Sequence, residues 1–230
     1  MPAAPRIPLS LTLALACLAG APGAVHADAR VRMEGERIVF EGRITAASAA
    51  QFRQLAQDPA VRRLVITSGG GLVGPALDMA ETVRERALDV EVPATCLSSC
   101  ANYVFPAGRR KVLGWAGAVG WHGNMAHVLY LQRTGQGQWS EAAMHEARQL
   151  ALREAELYRQ WGVDGFVCWF GKLPPHSAQD FYALSAADMA LFGIRDVTVL
   201  DGPPPAGVDA PLRVQVDAAA LQAARADAAP

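Results

Sequence analysis

Hydrophobic and polar positions alternate over Arg37–Ile44, placing Ile38, Phe40 and Ile44 on one side. That is the period of a strand with one wet face. Val31 and Met33 precede it across a turn near Glu34–Gly35 and are predicted to pair with it. Thr45 then caps a predicted helix to about Ala56, with Phe52 and Leu55 inward, and Asp58–Pro59 ends it. Leu64–Thr67 is a short unbroken apolar run, which predicts a strand covered on both faces, as in a parallel sheet. A glycine turn, Ser68-Gly69-Gly70-Gly71, follows. Pro75 opens a second helix with Ala76, Ala80, Val83 and Ala87 at helical spacing, acidic residues early and basic ones late. Val90–Val92 returns as a strand. The stretch Thr95–Phe105 puts two serines between two cysteines and is predicted to open a third helix toward Gly108. Lys111–Leu113 and Ala118–Trp121 read as short strands. The alternation predicts an α/β domain, a mostly parallel sheet flanked by helices with right-handed crossovers.

Beyond His122 the pattern changes. Arg133–Gln138 reads as a loop. Ser140 caps a long helix to about Gln160, with Ala143, Ala147, Leu150 and Leu157 on one face and Glu and Arg on the other. Asp164–Phe170 reads as a short apolar helix and Lys172–His176 as a loop. Leu184–Phe192 is predicted as a helix with Gly193 as its C-cap, and Asp196–Leu200 as a final strand. Proline and alanine dominate residues 202–230, which read as a mostly disordered tail with a weak helix near Ala218–Ala226.

The N-terminus changes the picture most. Arg6, the apolar run Ile7–Gly20 and the small residues around Val25-His26-Ala27 form a signal peptide over residues 1–27, cut after Ala27. The run is short for a membrane span, which needs roughly 20 residues. A lipoprotein anchored at Cys17 is the alternative, although Ala14-Leu15-Ala16 fits a lipobox poorly. The mature protein is then expected to be periplasmic or secreted, with one domain over residues 28–201. In an oxidising compartment Cys96 and Cys100 form a disulfide, or else remain two buried thiols. Cys168 reads as a buried apolar side chain.

Composition excludes more than it identifies. The 230 residues are 51% hydrophobic with a formal net charge of -1, which argues against a nucleic-acid partner. The triplet Arg109-Arg110-Lys111 reads as a solvated turn. Among the histidines, His122, His127, His145 and His176 have no ligand spacing backed by carboxylates, so no metal site is expected. No cofactor is expected either: the glycine turn lacks both the Walker and the dinucleotide spacing.

The chemistry gathers in three pieces. A hydroxyl nucleophile needs a base within hydrogen-bond reach, a group that orients the base, and backbone donors for the developing oxyanion. Ser98 and Ser99 lie at a helix start, beside free N–H groups and the positive end of the dipole. The glycine turn offers backbone that a substrate can approach closely. His122 ends an apolar strand and is the natural base.

The order and spacing of these pieces carry a resemblance. Leu64–Gly193 resembles the proteolytic subunit of the Clp protease and, more generally, the ClpP/crotonase fold, with its repeated β-β-α units. Ile66–Gly71 is similar to that family's Asn-Ser-Pro-Gly-Gly turn. Ser99–Gly108 is similar, without gaps, to its Ser-Met-Gly-Ala-Phe-Leu-Leu-Ala-Ala-Gly helix. Gly120–Gly123 is similar to its Met-Ile-His-Gln segment, and Leu184–Ile194 to its Leu-Ser-Ala-Pro-Glu segment. The resemblance implies a serine peptidase with Ser99 as nucleophile, His122 as base, Asp180 as third member, and the N–H groups of Gly70 and Cys100 as oxyanion donors. A group of exported bacterial ClpP-like proteins with a Cys-x-Ser-x-Cys-Ala element is closer still. There the position of Ser98 recurs as serine, so Ser98 is the alternative nucleophile.

The implied substrate is a peptide or small acyl compound. An ATPase partner is not expected outside the cytoplasm, and a homo-oligomer is left open. The alternative is a non-catalytic binding or assembly protein on the same fold. An acyl-thioester enzyme is disfavoured, because coenzyme A is largely cytosolic and no adenine-binding feature is visible.

Overall fold

The computed structural model describes residues 29–115, 117–201 and 212–228. The expected signal peptide, the alternative anchor Cys17 and the tail segment 202–211 lie outside the described residues.

The strands, in chain order, are β1 (Arg30–Glu34), β2 (Arg37–Glu41), β3 (Arg63–Thr67), β4 (Asp89–Val92), β5 (Thr95–Leu97), β6 (Lys111–Leu113), β7 (Ala118–Gly120), β8 (Tyr182–Ala183), β9 (Val197–Val199) and β10 (Leu212–Arg213). The helices are α1 (Ala46–Leu55), α2 (Val73–Glu85), α3 (a π turn over Cys100–Val104 that continues as Phe105–Ala107), α4 (Met125–Arg133), α5 (Glu141–Trp161), α6 (Ala186–Leu191) and α7 (Ala218–Ala228). β1 and β2 pair antiparallel around Gly35, and β2, β3, β4, β6 and β9 then run parallel in that order. This is the mostly parallel sheet flanked by helices that the sequence predicts.

The sheet forms where the sequence is most apolar. Ile38, Phe40, Leu64, Ile66, Val90 and Val92 are all fully buried. Val39, expected on a wet face, is buried too, because β2 lies inside the sheet and is covered on both sides. Truncating Ile66, the last buried apolar residue before the glycine turn, would cost about 2–5 kcal/mol. α1 packs against α2, and α2 against α3. Thr45 caps α1 in a reciprocal capping box with Ser48. Ser140 caps α5, and Gly162 ends it in the left-handed region at φ 67°. Arg153 of α5 reaches Asp78 and Glu81 of α2 at 2.7 and 2.6 Å. All three are about one-third exposed, so this tie adds little stability.

Several elements differ from the sequence reading. Thr95–Leu97 is a strand, not the opening of a helix, and with β7 it forms a separate two-stranded parallel sheet. α4 occupies residues for which no helix was expected. In place of the single short helix expected over Asp164–Phe170 there are two short 3-10 turns, Gly165–Cys168 and Phe170–Lys172. In the tail, α7 lies where the sequence suggested a weak helix near Ala218–Ala226; beyond that expectation, β10 pairs with β8, and Val214 and Leu221 are buried. These two apolar side chains supply the burial that a bare Pro/Ala composition hides. Among the described residues no helix is long and apolar enough to cross a membrane.

Candidate functional site

Two adjacent parallel strands bring the site together. Leu97 of β5 stands beside Gly120 of β7. Ser98 follows the first strand at once and His122 follows the second two residues on. Both side chains therefore emerge at the carboxyl ends of neighbouring strands, where parallel sheets commonly hold their ligands. The Ser98 N–H donates to the Gly120 carbonyl at 3.0 Å, which fixes the register at the turn. Ser98 has φ 54°, a left-handed conformation uncommon for a residue with a side chain. The chain thus bends sharply from strand to helix and presents the Ser98 hydroxyl. Its Oγ lies 2.8 Å from His122 Nε2.

Ser99 is directed elsewhere. It is buried, 3% exposed, and its hydroxyl donates to the Gly71 carbonyl at 3.2 Å. Among the described residues no hydrogen bond joins it to His122. The two serines differ by one residue and fall on opposite sides of the bend. The geometry brings Ser98 and His122 together and leaves Ser99 as a tie to the glycine turn.

Cys96 and Cys100 are bonded as a disulfide, Cα atoms 5.3 Å apart. One lies in β5 and the other at the start of α3, so the bridge staples the strand to the helix around Ser98. Cys168 is free and buried, beside the Tyr158 hydroxyl at 3.1 Å.

The glycine turn lies directly against this bend. A Cβ on Gly70 would meet the Leu97 carbonyl and Ser98 Cβ at 2.7 Å each, and the φ of Gly70 is +89°. Only glycine fits there. The Gly70 N–H is engaged, however: it donates to Ser68 Oγ at 3.0 Å. The N–H groups of Ser99 and Cys100, at the opening of α3, make no hydrogen bond among the described residues. Orphan first-turn donors of this kind suit a developing negative charge.

Asp180 lies just before β8, and Tyr182 of β8 bridges Trp121 in the antiparallel sense. The segment Asp180–Phe181 therefore runs alongside His122. Phe181 packs on the His122 ring, centroids 4.5 Å apart. Asp180 is exposed and acts on His122 through space; among the described residues its carboxylate makes no hydrogen bond to the imidazole. Lys172 binds the same segment from behind, its Nζ donating to the carbonyls of Ala178, Gln179 and Asp180 at 3.0, 2.7 and 2.6 Å. The His122 pKa lies below the ordinary histidine value. Loss of water around the ring lowers it most, the Lys172 charge lowers it further, and Asp180 opposes both. The ring keeps an exposed side, and water there limits the effect of these charges.

A second histidine is close by. His127 of α4 stacks on Trp169, centroids 5.2 Å apart, and its pKa is pushed down to about 4, mainly by burial and then by Lys172 and His122. Next to the bend lies an apolar cavity of about 250 Å³, lined on one side by Gly71, Leu72 and Val73 and on the other by Met125, Val128 and Trp139. Among the described residues no cluster of three or more His, Cys, Asp or Glu side chains is arranged to hold a metal ion.

Sequence reasoning did not single out Asn102, Phe181, Lys172 or Glu154. Ser98 entered only as the alternative nucleophile, through the resemblance to proteins with a Cys-x-Ser-x-Cys-Ala element.

No protein-family model matches the chain, and no curated protein matches it. Solved structures do. A ClpP1 mutant from Listeria monocytogenes is 12% identical with a TM-score of 0.47, over 73% of this chain and 92% of that one. A mutant of the membrane-bound stomatin-specific protease 1510-N is 13% identical with a TM-score of 0.44, over 70% of this chain and 77% of that one. Methylmalonyl CoA decarboxylase is 9% identical with a TM-score of 0.32, over 40% of this chain and 47% of that one. The chain thus spans about half the length of the coenzyme A enzymes it matches. Similarity at this level concerns the course of the chain and not its chemistry.

Proposed function

We propose that this protein is an exported serine hydrolase, a peptidase or acyl hydrolase, with Ser98 as nucleophile and His122 as general base. The observation that carries the proposal is the 2.8 Å contact between Ser98 Oγ and His122 Nε2 at a strand-to-helix bend. With Nε2 unprotonated, the Ser98 hydroxyl donates to it, and His122 takes that proton as Oγ attacks a carbonyl carbon. The lowered His122 pKa keeps the ring neutral and able to accept at pH 7. The first-turn N–H groups of Ser99 and Cys100 are the donors for the oxyanion. The Gly70 N–H, implied by the family resemblance, would have to leave Ser68 Oγ to join them. His122 then returns its proton to the leaving group, and water opens the acyl-enzyme by the same route. Asp180 favours the imidazolium through its charge.

The apolar cavity between the glycine turn and α4 supports a substrate with an apolar side chain or acyl chain. The Cys96–Cys100 disulfide supports an oxidising compartment, and with the N-terminal segment it supports export. One observation favours a second reading, a binding or assembly protein on the same fold: among the described residues the His122 ring donates no hydrogen bond to the Asp180 carboxylate.

A fluorophosphonate probe separates the two readings. The hydrolase reading expects covalent labelling of the folded protein, abolished in Ser98→Ala and His122→Ala and retained in Ser99→Ala. A folded wild type that takes no label would favour the binding reading.

A further inference from the structure

Two buried side chains span the gap between the helix after Ser98 and the segment after His122. Asn102 is 3% exposed; its backbone N–H donates to the Ser98 carbonyl, and its Nδ2 donates to the Gly123 carbonyl, each at 2.8 Å. Glu154 of α5 is 2% exposed; its Oε1 accepts from the Tyr103 hydroxyl and from the Met125 N–H, the latter at 3.2 Å. Gly123 follows His122 directly, and Met125 is the first residue of α4. The segment that carries the base is therefore held at a carbonyl by Asn102 and at a first-turn N–H by Glu154. Both holds lead back to α3, through Asn102 itself and through Tyr103.

The clamp is incompletely satisfied. Asn102 Oδ1 and Glu154 Oε2 are buried and have no hydrogen-bond partner among the described residues. The Tyr103 hydroxyl contacts both side chains. Buried polar atoms are nearly always paired, so two orphan acceptors in one cluster point to a role beyond packing.

We propose that Asn102 and Glu154 are positioning residues that hold Ser98 and His122 at hydrogen-bond distance, and that Glu154 makes this hold depend on pH. The proposal rests on the reading of Ser98 as nucleophile. Burial pushes the Glu154 carboxyl up to about 7, against the lowering effect of the Tyr103 hydroxyl and of the nearby Met125 and Ala126 N–H groups. Around it, Tyr103 of α3, Tyr158 of α5 and Cys168 are all pushed up by burial and stay neutral. His127 of α4 has already lost its proton, with a pKa of about 4. Arg153 is paired with Asp78 and Glu81, and Asp164 with Arg225. Glu154 is thus the group of this cluster that changes charge near neutrality. Once ionised, it accepts charge-assisted bonds from the Tyr103 hydroxyl and the first turn of α4, and the hold tightens.

The test is the rate of fluorophosphonate labelling of Ser98 from about pH 5 to 9, in the wild type, Asn102→Leu and Glu154→Gln. Leucine keeps the branching and heavy-atom count of Asn102 and removes the donor. Glutamine keeps the acceptor of Glu154 and removes the titration. The wild-type rate is expected to rise as His122 deprotonates and again near pH 7. Glu154→Gln is expected to keep the first rise and lose the second. Asn102→Leu is expected to lower the maximal labelling rate about tenfold or more, with the half-saturating probe concentration unchanged. Should Asn102→Leu fail to fold, the near-isosteric Glu154→Gln carries the test. A second rise that persists in Glu154→Gln, or a folded Asn102→Leu that labels at the wild-type maximal rate, would overturn the proposal. A folded wild type without label on Ser98 would overturn the nucleophile reading and the proposal with it.

Discussion

Cys96 and Cys100 are covalently joined around Ser98, so the strand that ends at Leu97 and the helix that opens at Cys100 are tied at a residue with φ 54°. A left-handed conformation costs a non-glycine residue about 1–2 kcal/mol, and the disulfide opposes its relaxation. The bridge closes a loop of only a few residues, so its entropic effect on the unfolded chain is small, about 2 kcal/mol. The double variant Cys96→Ala/Cys100→Ala is expected to stay folded with a modestly lower Tm, while labelling of Ser98 falls about tenfold or more. Thermal melts and labelling rates on the same samples check the two effects separately. A related comparison isolates the bend: Ser98→Gly should melt above Ser98→Ala, because glycine enters the left-handed region without strain.

Gly70 has no room for a side chain. A methyl group there would press on the Leu97 carbonyl and on Ser98 Cβ from 2.7 Å, at a φ that L residues rarely adopt. Gly70→Ala is expected to lose about 1–3 kcal/mol of stability and to lose labelling altogether. Gly69→Ala, where a Cβ meets nothing within 4 Å, is expected to be close to wild type by both measures. Denaturant melts and labelling of the pair decide this.

The pH dependence of labelling follows from the groups around His122. With His122 as the proposed base, the ring must be neutral to act, so the acid limb of the rate is expected to track the His122 pKa, which lies below the ordinary value of 6.5. Lys172 lowers that pKa and Asp180 raises it. Asp180→Asn should move the acid limb to lower pH, and Lys172→Met should move it to higher pH. Lys172 also holds three carbonyls of the Asp180 segment, so its variant is expected to label more slowly at all pH values as well. Rate–pH profiles of the two variants read both shifts.

His127 bears on stability rather than on chemistry. Its folded pKa of about 4 lies below the value of 6.5 expected for an unfolded chain. Between those values the unfolded state binds the extra proton, so this contribution is present above about pH 6.5 and is lost as pH falls toward 4. His127→Phe keeps a ring on Trp169 and removes the titration. It is expected to flatten the fall in Tm over that window and leave the Tm near pH 8 little changed.

The legible parts of the fold were those in which the local pattern and the tertiary environment agree. The apolar run Leu64–Thr67 could only be a covered strand, and Ser140 with the periodicity beyond it marked α5 to within a residue or two at each end. α4 was not legible because none of its residues is fully sequestered, so its apolar positions form no clear stripe. β5 is three residues long and takes its conformation from β7, more than twenty residues away in sequence. The same dependence hid the choice between Ser98 and Ser99. Both are small hydroxyl residues at a helix start. Only the pairing of Leu97 with Gly120, together with the Cys96–Cys100 bridge, decides which of them faces His122. Asn102 and Glu154 were invisible for another reason: in sequence they sit as ordinary members of helical segments, and the partners of their side chains lie in other elements.

Ser98, positioned by this bend, is the proposed nucleophile. Peptide mass spectrometry of the fluorophosphonate-treated, folded wild type tests this assignment most directly. A phosphonyl adduct is expected on Ser98, with Ser99 unmodified. An adduct on Ser99, or no adduct on either serine, would contradict it.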